Sequence, residues 1–514
     1  MDNVKGMENS GARIKEALCD RRVVTEISSD FSLPDYQPEI KRLLHVCATV
    51  APTDKYVGTA EAEFSGTVDY TILYAGNDGA LYSTSQTGEY RFSVPIEATV
   101  DFELGEGLVC DVETMAEFPA GRVVAPRKLS VKCRLRSRVR LWGTRILAET
   151  VKGVSEDRLQ RLGGSSEFME MFVGTSESIQ LSDEILIEAS EETLRVISAD
   201  AIAYVSEALC GSGCVNCRGE VALKLLCTHD GENGELFSQM RRIPFSCSVP
   251  VDGAEVNCSA CARGTATDVV VRVEEGRILC ECAVRLEARA GRNREVYFTT
   301  DAYSLDANGT CAVQRIKLPV FLRTHIGNFS LNTTLSMEEA GIRRDATISD
   351  LRIVPTVTGV ENENGRYVIS GRCHCYALQM AEEDVAMQEF EIPFRYVTEG
   401  SDDEVRDYDV NVVAISSRTR SDGERIHVDA ELAVDLVTYG EHSVQVLSVA
   451  EFTEPIARKD EAYLIAYPAR EDTLWSVAKK YHRSVSEVAR MNPIAEGPSA
   501  DAMDSLAGVR YLLV

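Results

Sequence analysis

The sequence predicts a mainly β protein with three tandem antiparallel β-sandwich-like domains followed by a small βααβ unit. Three observations lead to this prediction. Apolar and polar residues alternate along much of the chain, the alternating motifs recur in the same order three times, and the period changes only near the C-terminus. Alternation with a period of two is typical of antiparallel strands that bury one face. A chain of 514 residues is also too long for a single core.

The clearest strand motif is LSVKCRLRSRVRL, which places apolar residues on one face and mainly basic residues on the other. Related motifs, RILCECAVRL and RIHVDAELAV, follow later in the chain, and the three copies begin at Lys128, Arg277 and Arg425. The steps between these basic residues are 149 and 148 residues. The motif therefore predicts one equivalent, half-buried strand in each of three domains.

Two further markers recur in the same order. Strands that follow a glycine begin at Gly66, Gly219 and Gly371, with steps of 153 and 152 residues. The motifs FSVPIE, CSVPVD and FEIPFR each carry a proline where a strand edge or bulge would accept it: Pro95, Pro250 and Pro393. Three markers in one order predict a domain-sized repeat.

These markers divide the chain into five parts. We expect an N-terminal segment over residues 1–19, β domains over residues 20–155, 165–320 and 321–458, and the βααβ unit over residues 461–514. Gly- and Asn-rich stretches between the glycine and proline strands, such as AGNDGALY, predict hairpin turns.

The last unit begins with a short predicted strand from Tyr463 to Tyr467 and ends with a closing strand in YLLV. Helical spacing of apolar residues predicts a first helix over Thr473 to Tyr481. Ser484, with a glutamate three residues later, predicts the capped start of a second helix, which Asn492 and Pro493 end.

Composition restricts the classes of partner. A net charge of -27 disfavours binding to nucleic acid or to an anionic membrane, since both need a clustered positive face. No apolar run is long enough for a transmembrane segment, and the N-terminus does not resemble a signal peptide. We therefore expect an intracellular protein with reduced cysteines, whose partners are proteins or neutral ligands and which needs no cofactor.

Cysteine pairs in the second domain allow two interpretations. The segments CGSGCVNC and CSAC, with Cys210, Cys214 and Cys217 in the first and Cys258 and Cys261 in the second, could form a four-thiolate zinc site. The alternative, which we prefer, is that these cysteines are small core residues, so no metal site is expected. Cys373 and Cys375 are likewise expected to point inward from a strand, with His374 outward.

The basic row of Arg134, Arg136, Arg138 and Arg140 also has two explanations: cross-strand pairing with acidic neighbours, which we prefer, or docking of an acidic partner. The chain contains no phosphate-binding loop, HExxH or GxSxG motif, and its histidines are scattered. We therefore expect a protein that is not an enzyme.

The C-terminal unit resembles the LysM domain through YLIAYPAREDTLWSVAKKYHRSVSEVARMNP, with Glu471 where LysM domains usually have glycine. LysM domains generally bind N-acetylglucosamine polymers such as peptidoglycan, in a groove between the loop before the first helix and the loop after the second. The resemblance implies a binding site for a partner or a glycan formed by Arg470, Asp472, Thr473, Leu474, Trp475, Asn492, Pro493 and Ile494.

The upstream repeats resemble the SPOCS domain of clostridial spore-coat-associated proteins, through LPDYQPEIKRLLHV at Leu33 and the glycine and proline strands after it. Three SPOCS domains followed by a LysM domain resemble a family of spore coat morphogenetic proteins. The resemblance implies a structural adaptor in the mother-cell cytoplasm, recruited to the forespore surface, whose LysM domain binds the spore coat morphogenetic ATPase. The alternative is a cell-wall-associated protein that binds peptidoglycan through its N-acetylglucosamine units.

Overall fold

A computed structural model describes residues 12–96, 102–103, 108–186, 194–229, 236–274, 276–381, 384–400, 404–456, 464–492 and 505–514. Over these residues the protein is mainly β, and its sheets are antiparallel apart from one short parallel strand pair. The mainly β, sandwich-like class expected from the alternation is therefore confirmed.

The first third of the chain forms two facing sheets, called here the first sandwich. Its strands are β1 (Ala12–Ser32), β2 (Ile40–Val50), β3 (Asp54–Val57), β4 (Glu61–Gly76), β5 (Leu81–Pro95), β6 (Phe102–Glu103), β7 (Val109–Ala125) and β8 (Lys128–Leu147). In one sheet β8 pairs with β1, β6 and β7, and in the other β4 pairs with β2, β3 and β5. Apolar residues of both sheets fill the space between them.

A short connector leads to the second sandwich and contains β9 (Thr150–Lys152) and a 3-10 turn (Glu156–Arg158). The second sandwich consists of β10 (Leu159–Thr175), β11 (Ile179–Leu186), β12 (Leu194–Cys210), β13 (Cys214–His229), β14 (Leu236–Pro250), β15 (Ser259–Glu274) and β16 (Arg277–Ser304). Here β16 pairs with β10, β11 and β15, and β13 lies between β12 and β14.

The third sandwich consists of β17 (Ala307–Ser336), β18 (Thr347–Glu363), β19 (Arg366–Ala381), β20 (Asp384–Glu399), β21 (Asp407–Ser421) and β22 (Arg425–Pro455). Here β22 lies between β17 and β21, and β19 lies between β18 and β20. In all three sandwiches the last strand therefore pairs with the first strand and with the strand before it. Middle strands form the facing sheet, four of them in the first sandwich and three in each of the others.

The recurring glycines have a common physical explanation. Gly66, Gly219 and Gly371 lie directly opposite an aromatic residue of the next strand: Tyr90, Phe245 and Phe394 respectively. A Cβ atom at Gly371 would lie 2.4 Å from the Phe394 ring and 2.4 Å from the backbone oxygen of Thr356. The aromatic ring covers the bare backbone, so the motif needs a residue without a side chain.

The structure corrects the third proline marker. Pro95 and Pro250 both end their strands, β5 and β14. Pro393 lies inside β20, opposite the residue that follows Gly371, and Pro244 has this same place opposite the residue after Gly219. Pro393 is therefore equivalent to Pro244 and not to Pro250, although the motifs FEIPFR and CSVPVD look alike in sequence.

The predicted strands at Lys128, Arg277 and Arg425 form as β8, β16 and β22 and begin at these residues. They are much longer than the motifs, at 20, 28 and 31 residues. The boundaries placed after residues 19 and 320 fall inside β1 and β17, because these strands continue past their own sandwich to contact the other sandwiches.

Equivalent faces of the three sandwiches meet in one apolar cluster. It contains Leu73 of β4, Leu226 of β13 and Leu378 of β19, which follow one another at the glycine steps of 153 and 152 residues. A second shared cluster joins the far ends of the long strands, with Leu147, Phe298 and Leu318 among its members. The three sandwiches thus pack around a common centre.

The connector between the first two sandwiches also contacts the third sandwich. Strand β9 pairs in parallel with β22, so the link between the first two sandwiches lies on the third. Gly153 follows with φ of 81°, and a Cβ atom there would lie 2.0 Å from the Phe452 backbone oxygen. Only glycine fits this position without displacing the backbone.

Candidate functional site

The C-terminal unit contains β23 (Ile465–Ala466), α1 (Leu474–Tyr481), α2 (Val485–Met491) and β24 (Leu512–Leu513), and β23 pairs with β24. Thr473 caps α1, accepting a hydrogen bond from the Ser476 amide, while the Ser476 hydroxyl accepts one from the Thr473 amide. Ser484 caps α2 by accepting from the Glu487 amide, as expected from the sequence. A small core joins both helices to both strands.

The predicted binding residues at the start of α1 divide into two groups. Arg470 is exposed, and Asp472 is half-buried and accepts a hydrogen bond from the Ala469 amide at 2.8 Å. Leu474 is fully buried in the core of the unit, and Trp475 is almost fully buried. The side chains of Leu474 and Trp475 therefore face inward, while Arg470 remains available at the surface.

Asn492 holds the end of α2 against the closing strand. Its Nδ2 atom donates to the backbone oxygens of Val488 and Leu513 at 2.9 and 2.7 Å, and its Oδ1 accepts from the Leu513 amide at 2.8 Å. The side chain is buried and fully hydrogen-bonded. Pro493 and Ile494, the remaining predicted groove residues, lie outside the described residues.

The buried side of α1 attaches the unit to the end of β16. Asp301 accepts hydrogen bonds from Trp475 Nε1 at 2.9 Å and from Lys479 Nζ at 2.6 Å. The Trp475 ring packs edge-on against Tyr303, with ring centroids 4.8 Å apart. Tyr303 also donates to the Arg483 backbone oxygen at 2.7 Å. Trp475 therefore anchors the unit to the second sandwich.

The two short strands of the unit and the residues beside them expose apolar side chains that the motif analysis did not single out. Ile465, Tyr467 and Tyr511 are 52%, 75% and 56% exposed. Ala466 and Leu512, which alternate with them along the strands, are buried in the core of the unit. We call Ile465, Tyr467 and Tyr511 the sheet patch. The only sequence signal for it is the alternation in LIAY and RYLL.

A second feature lies between the sandwiches. A cavity of about 390 Å³ and a neighbouring one of about 290 Å³ share His45 and Cys47 of β2 in their walls. Residues of all three sandwiches line the larger cavity, including Lys224 of β13 and Arg352 of β18. Lys224 pairs with Asp350 at 2.6 Å. This polar centre holds the sandwiches together by contacts between oppositely charged groups.

His45 is held neutral in this setting. Burial lowers the pKa of its imidazole to about 3, and the nearby Arg352 guanidinium contributes in the same direction, against the opposing effect of Asp350. Its ring lies 4.6 Å from the ring of Tyr376 in the third sandwich. The Cys47 thiol beside it has a pKa raised to about 11, chiefly by burial.

The arginine row is paired with carboxylates, as the preferred interpretation expected. Arg134 and Arg136 both contact Glu117 of the neighbouring strand β7, at 2.8 and 3.0 Å. Arg138 and Arg140 reach further and pair with Asp409 of the third sandwich. The row is therefore partly a contact between sandwiches, which strand alternation alone did not predict.

Asp409 is the centre of this buried ion-pair cluster. It lies 3.0 Å from Arg138 and 3.5 Å from Arg289 of the second sandwich, and it contacts Arg140. Tyr439 donates a hydrogen bond to it at 3.0 Å. Burial by itself raises the pKa of Asp409, but Arg289 and Arg140 outweigh burial and hold that pKa well below its usual range.

Several of the cysteines considered as zinc ligands are core residues. Cys217 and Cys258 belong to the core of the second sandwich, whereas Cys261 belongs to a cluster that it shares with Trp142 and Tyr439. Among the described residues, no three His, Cys, Asp or Glu side chains are placed to hold a metal ion. Cys373 and Cys375 are buried, as alternation predicted. His374 points away from them and contacts Glu391 at 3.2 Å.

No helix within the described ranges is both long and apolar enough to span a membrane. Comparisons with protein-family models, with curated proteins and with solved structures gave no match to this chain. The function proposed below therefore depends on the motifs of the chain and on the geometry of the C-terminal unit.

Proposed function

We propose that the protein is a non-enzymatic structural adaptor in endospore coat assembly, with three SPOCS-like domains and a LysM-like C-terminal unit. This is the organisation of a SipL-like spore coat morphogenetic protein. What supports the proposal is that the three motif copies coincide with three copies of one strand-pairing scheme, and that two capped helices lie between two short strands at the C-terminus.

In this proposal the C-terminal unit binds the spore coat morphogenetic ATPase, in the mother cell at the forespore surface. One observation carries the proposal: the unit is attached to β16 through α1, while the sheet patch and Arg470 remain exposed. A unit attached in this way holds its exposed surface in a fixed position relative to the three sandwiches. That arrangement suits an adaptor, which must hold one partner at a defined position.

The three sandwiches would serve as the rigid platform for this unit. Shared apolar clusters and the ion-pair cluster around Asp409 join them across their interfaces. Because packed interiors resist deformation, a partner bound at the C-terminal unit would be held in one orientation relative to the whole body.

The test uses the purified full chain and a chain that lacks residues 461–514, each titrated with the purified coat ATPase of the same organism. We expect the full chain to bind and the shortened chain to lose binding. Circular dichroism must show that the β signal of the shortened chain is preserved. Equal binding by both chains would contradict the proposed role of the C-terminal unit.

Peptidoglycan is the competing ligand, since exposed tyrosine rings such as Tyr467 and Tyr511 can also stack on sugars. Cosedimentation of the full chain with purified peptidoglycan tests this directly. Retention on peptidoglycan, with no binding to the ATPase, would replace the adaptor proposal by a wall-binding function.

A further inference from the structure

Two cysteines of the second sandwich lie directly opposite each other on neighbouring strands. Cys217 of β13 pairs with Cys247 of β14 in the antiparallel register, two residues along the strands from the pair of Gly219 and Phe245. We call Cys217 and Cys247 the facing pair. Directly opposite residues of antiparallel strands have Cα atoms about 4.5 or 5.5 Å apart, and a disulfide bond needs a Cα separation of about 4.4–6.8 Å. The strands therefore hold the facing pair at a separation that a disulfide bond accepts.

Both side chains of the facing pair point into the same core. Cys217 is buried in the core of the second sandwich, and Cys247, which is half-buried, packs against that core. Phe245 and Val249, which lie two residues before and after Cys247, are buried there as well, as expected for one face of a strand. Directly opposite side chains on one face have Cβ atoms about 4.5–5.5 Å apart. A small approach of the two strands therefore lets the sulfur atoms bond.

No other two cysteines lie opposite each other in the strand pairings of the described residues. Cys280 and Cys282 of β16, and Cys373 and Cys375 of β19, are two residues apart on one strand and share a face. The rise along a strand keeps such neighbours about 6–7 Å apart, which exceeds the Cβ separation of about 3.5–4.5 Å in a disulfide bond. The register therefore singles out the facing pair.

The two thiols of the facing pair differ in their access to solvent. Cys217 is buried and Cys247 is half-buried, so an oxidant in solution reaches Cys247 first. Burial raises the pKa of both thiols, and for Cys217 burial together with the neighbouring Cys247 thiol raises the pKa to about 12. Because the thiolate is the form that reacts, the facing pair reacts slowly at neutral pH and faster as the pH rises.

We propose that Cys217 and Cys247 are a redox modification site, which peroxide converts to a disulfide bond and thiol reductants restore. The Cys247 thiolate attacks one peroxide oxygen, the O–O bond breaks, and hydroxide leaves, which gives a sulfenic acid. The Cys217 thiolate then attacks the Cys247 sulfur, the S–O bond breaks, and a second hydroxide leaves. The two protons of the thiols convert both hydroxides to water, so the two electrons that the thiols lose reduce one hydrogen peroxide.

The disulfide bond joins an edge strand to the centre of its sheet. Strand β13 lies between β12 and β14, and β14 pairs with β13 alone among the described strands. Arg242 of β14 forms an ion pair with Glu431 of the third sandwich. Oxidation of the facing pair therefore fixes the strand that carries this ion pair. The bond also closes a loop of residues 218–246 in the unfolded chain, which restricts that chain and raises stability.

The first experiment counts the thiols of the folded full-length chain before and after treatment with hydrogen peroxide. The chain is then unfolded in urea, and the remaining thiols are blocked with N-ethylmaleimide. We expect two fewer maleimide adducts than in the untreated chain, and mass spectrometry of proteolytic fragments should find Cys217 joined to Cys247. The rate of bond formation should increase about tenfold per pH unit above neutral pH, following the thiolate fraction. Dithiothreitol should restore both adducts by thiol–disulfide exchange.

Two variants assign the reacting cysteine. Cys247→Ser should abolish the loss of maleimide adducts. Cys214→Ser is the matched control, because Cys214 is also half-buried and lies on β13, but has Pro250 opposite it. The control should form the bond at a rate within about twofold of the unchanged chain, since its thiol takes no part in the reaction. Circular dichroism checks the fold of both variants, and fragment mapping of the unchanged chain tests the pairing independently of them.

Urea unfolding gives a second measurement. The oxidised chain should unfold at a higher urea concentration than the reduced chain, and peroxide should leave the midpoint of Cys247→Ser unchanged. Three results would overturn the proposal: a full set of free thiols after peroxide treatment, an unchanged or lower midpoint for the oxidised chain, or a bond at other cysteines. The competing cysteines are those whose thiols lie near one another at the start of β13: Cys210, Cys214 and Cys258.

Discussion

At the scale of single residues, the repeat is visible as a glycine and aromatic pair on adjacent strands. Because the glycine has no side chain, the aromatic ring of the opposite residue can lie across the strand. The ring supplies the packing contacts that a side chain at the glycine position would otherwise make. This pairing explains why the glycine spacing of 153 and 152 residues is a reliable marker. It also explains why the proline marker is less reliable, since a proline is tolerated at several places along a strand edge.

This account predicts the effect of adding one methyl group at Gly371. Gly371→Ala should lower the free energy of unfolding by about 1–3 kcal/mol, because the new Cβ would overlap the Phe394 ring and the Thr356 backbone oxygen. Gly359→Ala, on the neighbouring strand β18, is the control, because no heavy atom lies within 4 Å of its added Cβ. Urea unfolding of both variants measures the difference. Equal losses would contradict the close approach at Gly371.

At the scale of elements, the long strands β8, β16 and β22 perform two tasks. Their first halves complete a sandwich, and their second halves pack against other sandwiches. Sequence alternation predicts the first halves because one face is buried and the other is polar. In the second halves neighbouring residues such as Val446 and Leu447 are both buried, since the strand lies between two packing layers. The period-two signal is lost there, which is why the strand ends could not be predicted.

The element-scale prediction concerns the charges that join these strands. Asp409→Ala should lower the free energy of unfolding by about 3–5 kcal/mol, because it removes the buried carboxylate that Arg138, Arg140 and Arg289 share and leaves their remaining acidic partners to offset the buried positive charge. Chemical denaturation at neutral pH measures the change.

The matched control for Asp409 is Asp345→Ala. Asp345 pairs with Arg343 at 2.6 Å on the surface, where both side chains are about half exposed. We expect this substitution to change stability by less than about 1 kcal/mol, because solvent screens exposed pairs. A similarly small loss at Asp409 would show that the cluster does not hold the sandwiches together.

At the scale of the whole molecule, the three sandwiches create a polar interior that no sandwich has alone. His45 of the first sandwich is enclosed there by Arg352 and Tyr376 of the third. Since burial and Arg352 lower its pKa to about 3, the folded protein holds this imidazole neutral at pH values where the unfolded chain binds a proton.

The arrangement predicts acid sensitivity between about pH 6.5 and pH 3. Lowering the pH through this window favours the unfolded chain, by at most about 1.4 kcal/mol per pH unit from His45. His45→Gln should therefore show a weaker decline in unfolding free energy from pH 6.5 to pH 4 than the unchanged chain. The same substitution at the exposed His442 is the control. Parallel pH profiles for the His45 variant and the unchanged chain would contradict a buried neutral imidazole.

The sequence by itself determined the mainly β class, the positions where the three repeated strands begin, and the capped start of the second short helix. These features depend on residues close together in the chain, whose periodicity and capping groups act locally. The same local patterns predicted that the arginine row would pair with acidic residues of neighbouring strands, and that the side chains of Cys373 and Cys375 would point inward.

Only the tertiary structure decided how the sandwiches meet and which side of the C-terminal unit faces outward. Trp475 is buried because it donates a hydrogen bond to Asp301 and packs against Tyr303, residues more than 170 positions earlier in the chain. Tyr467 is exposed because nothing among the described residues packs on its side of the sheet. Burial of a side chain depends on the surface placed against it, and a contact between distant segments leaves no periodic pattern in either one. The strands could therefore be predicted from the sequence, whereas the exposed face of the C-terminal unit could not.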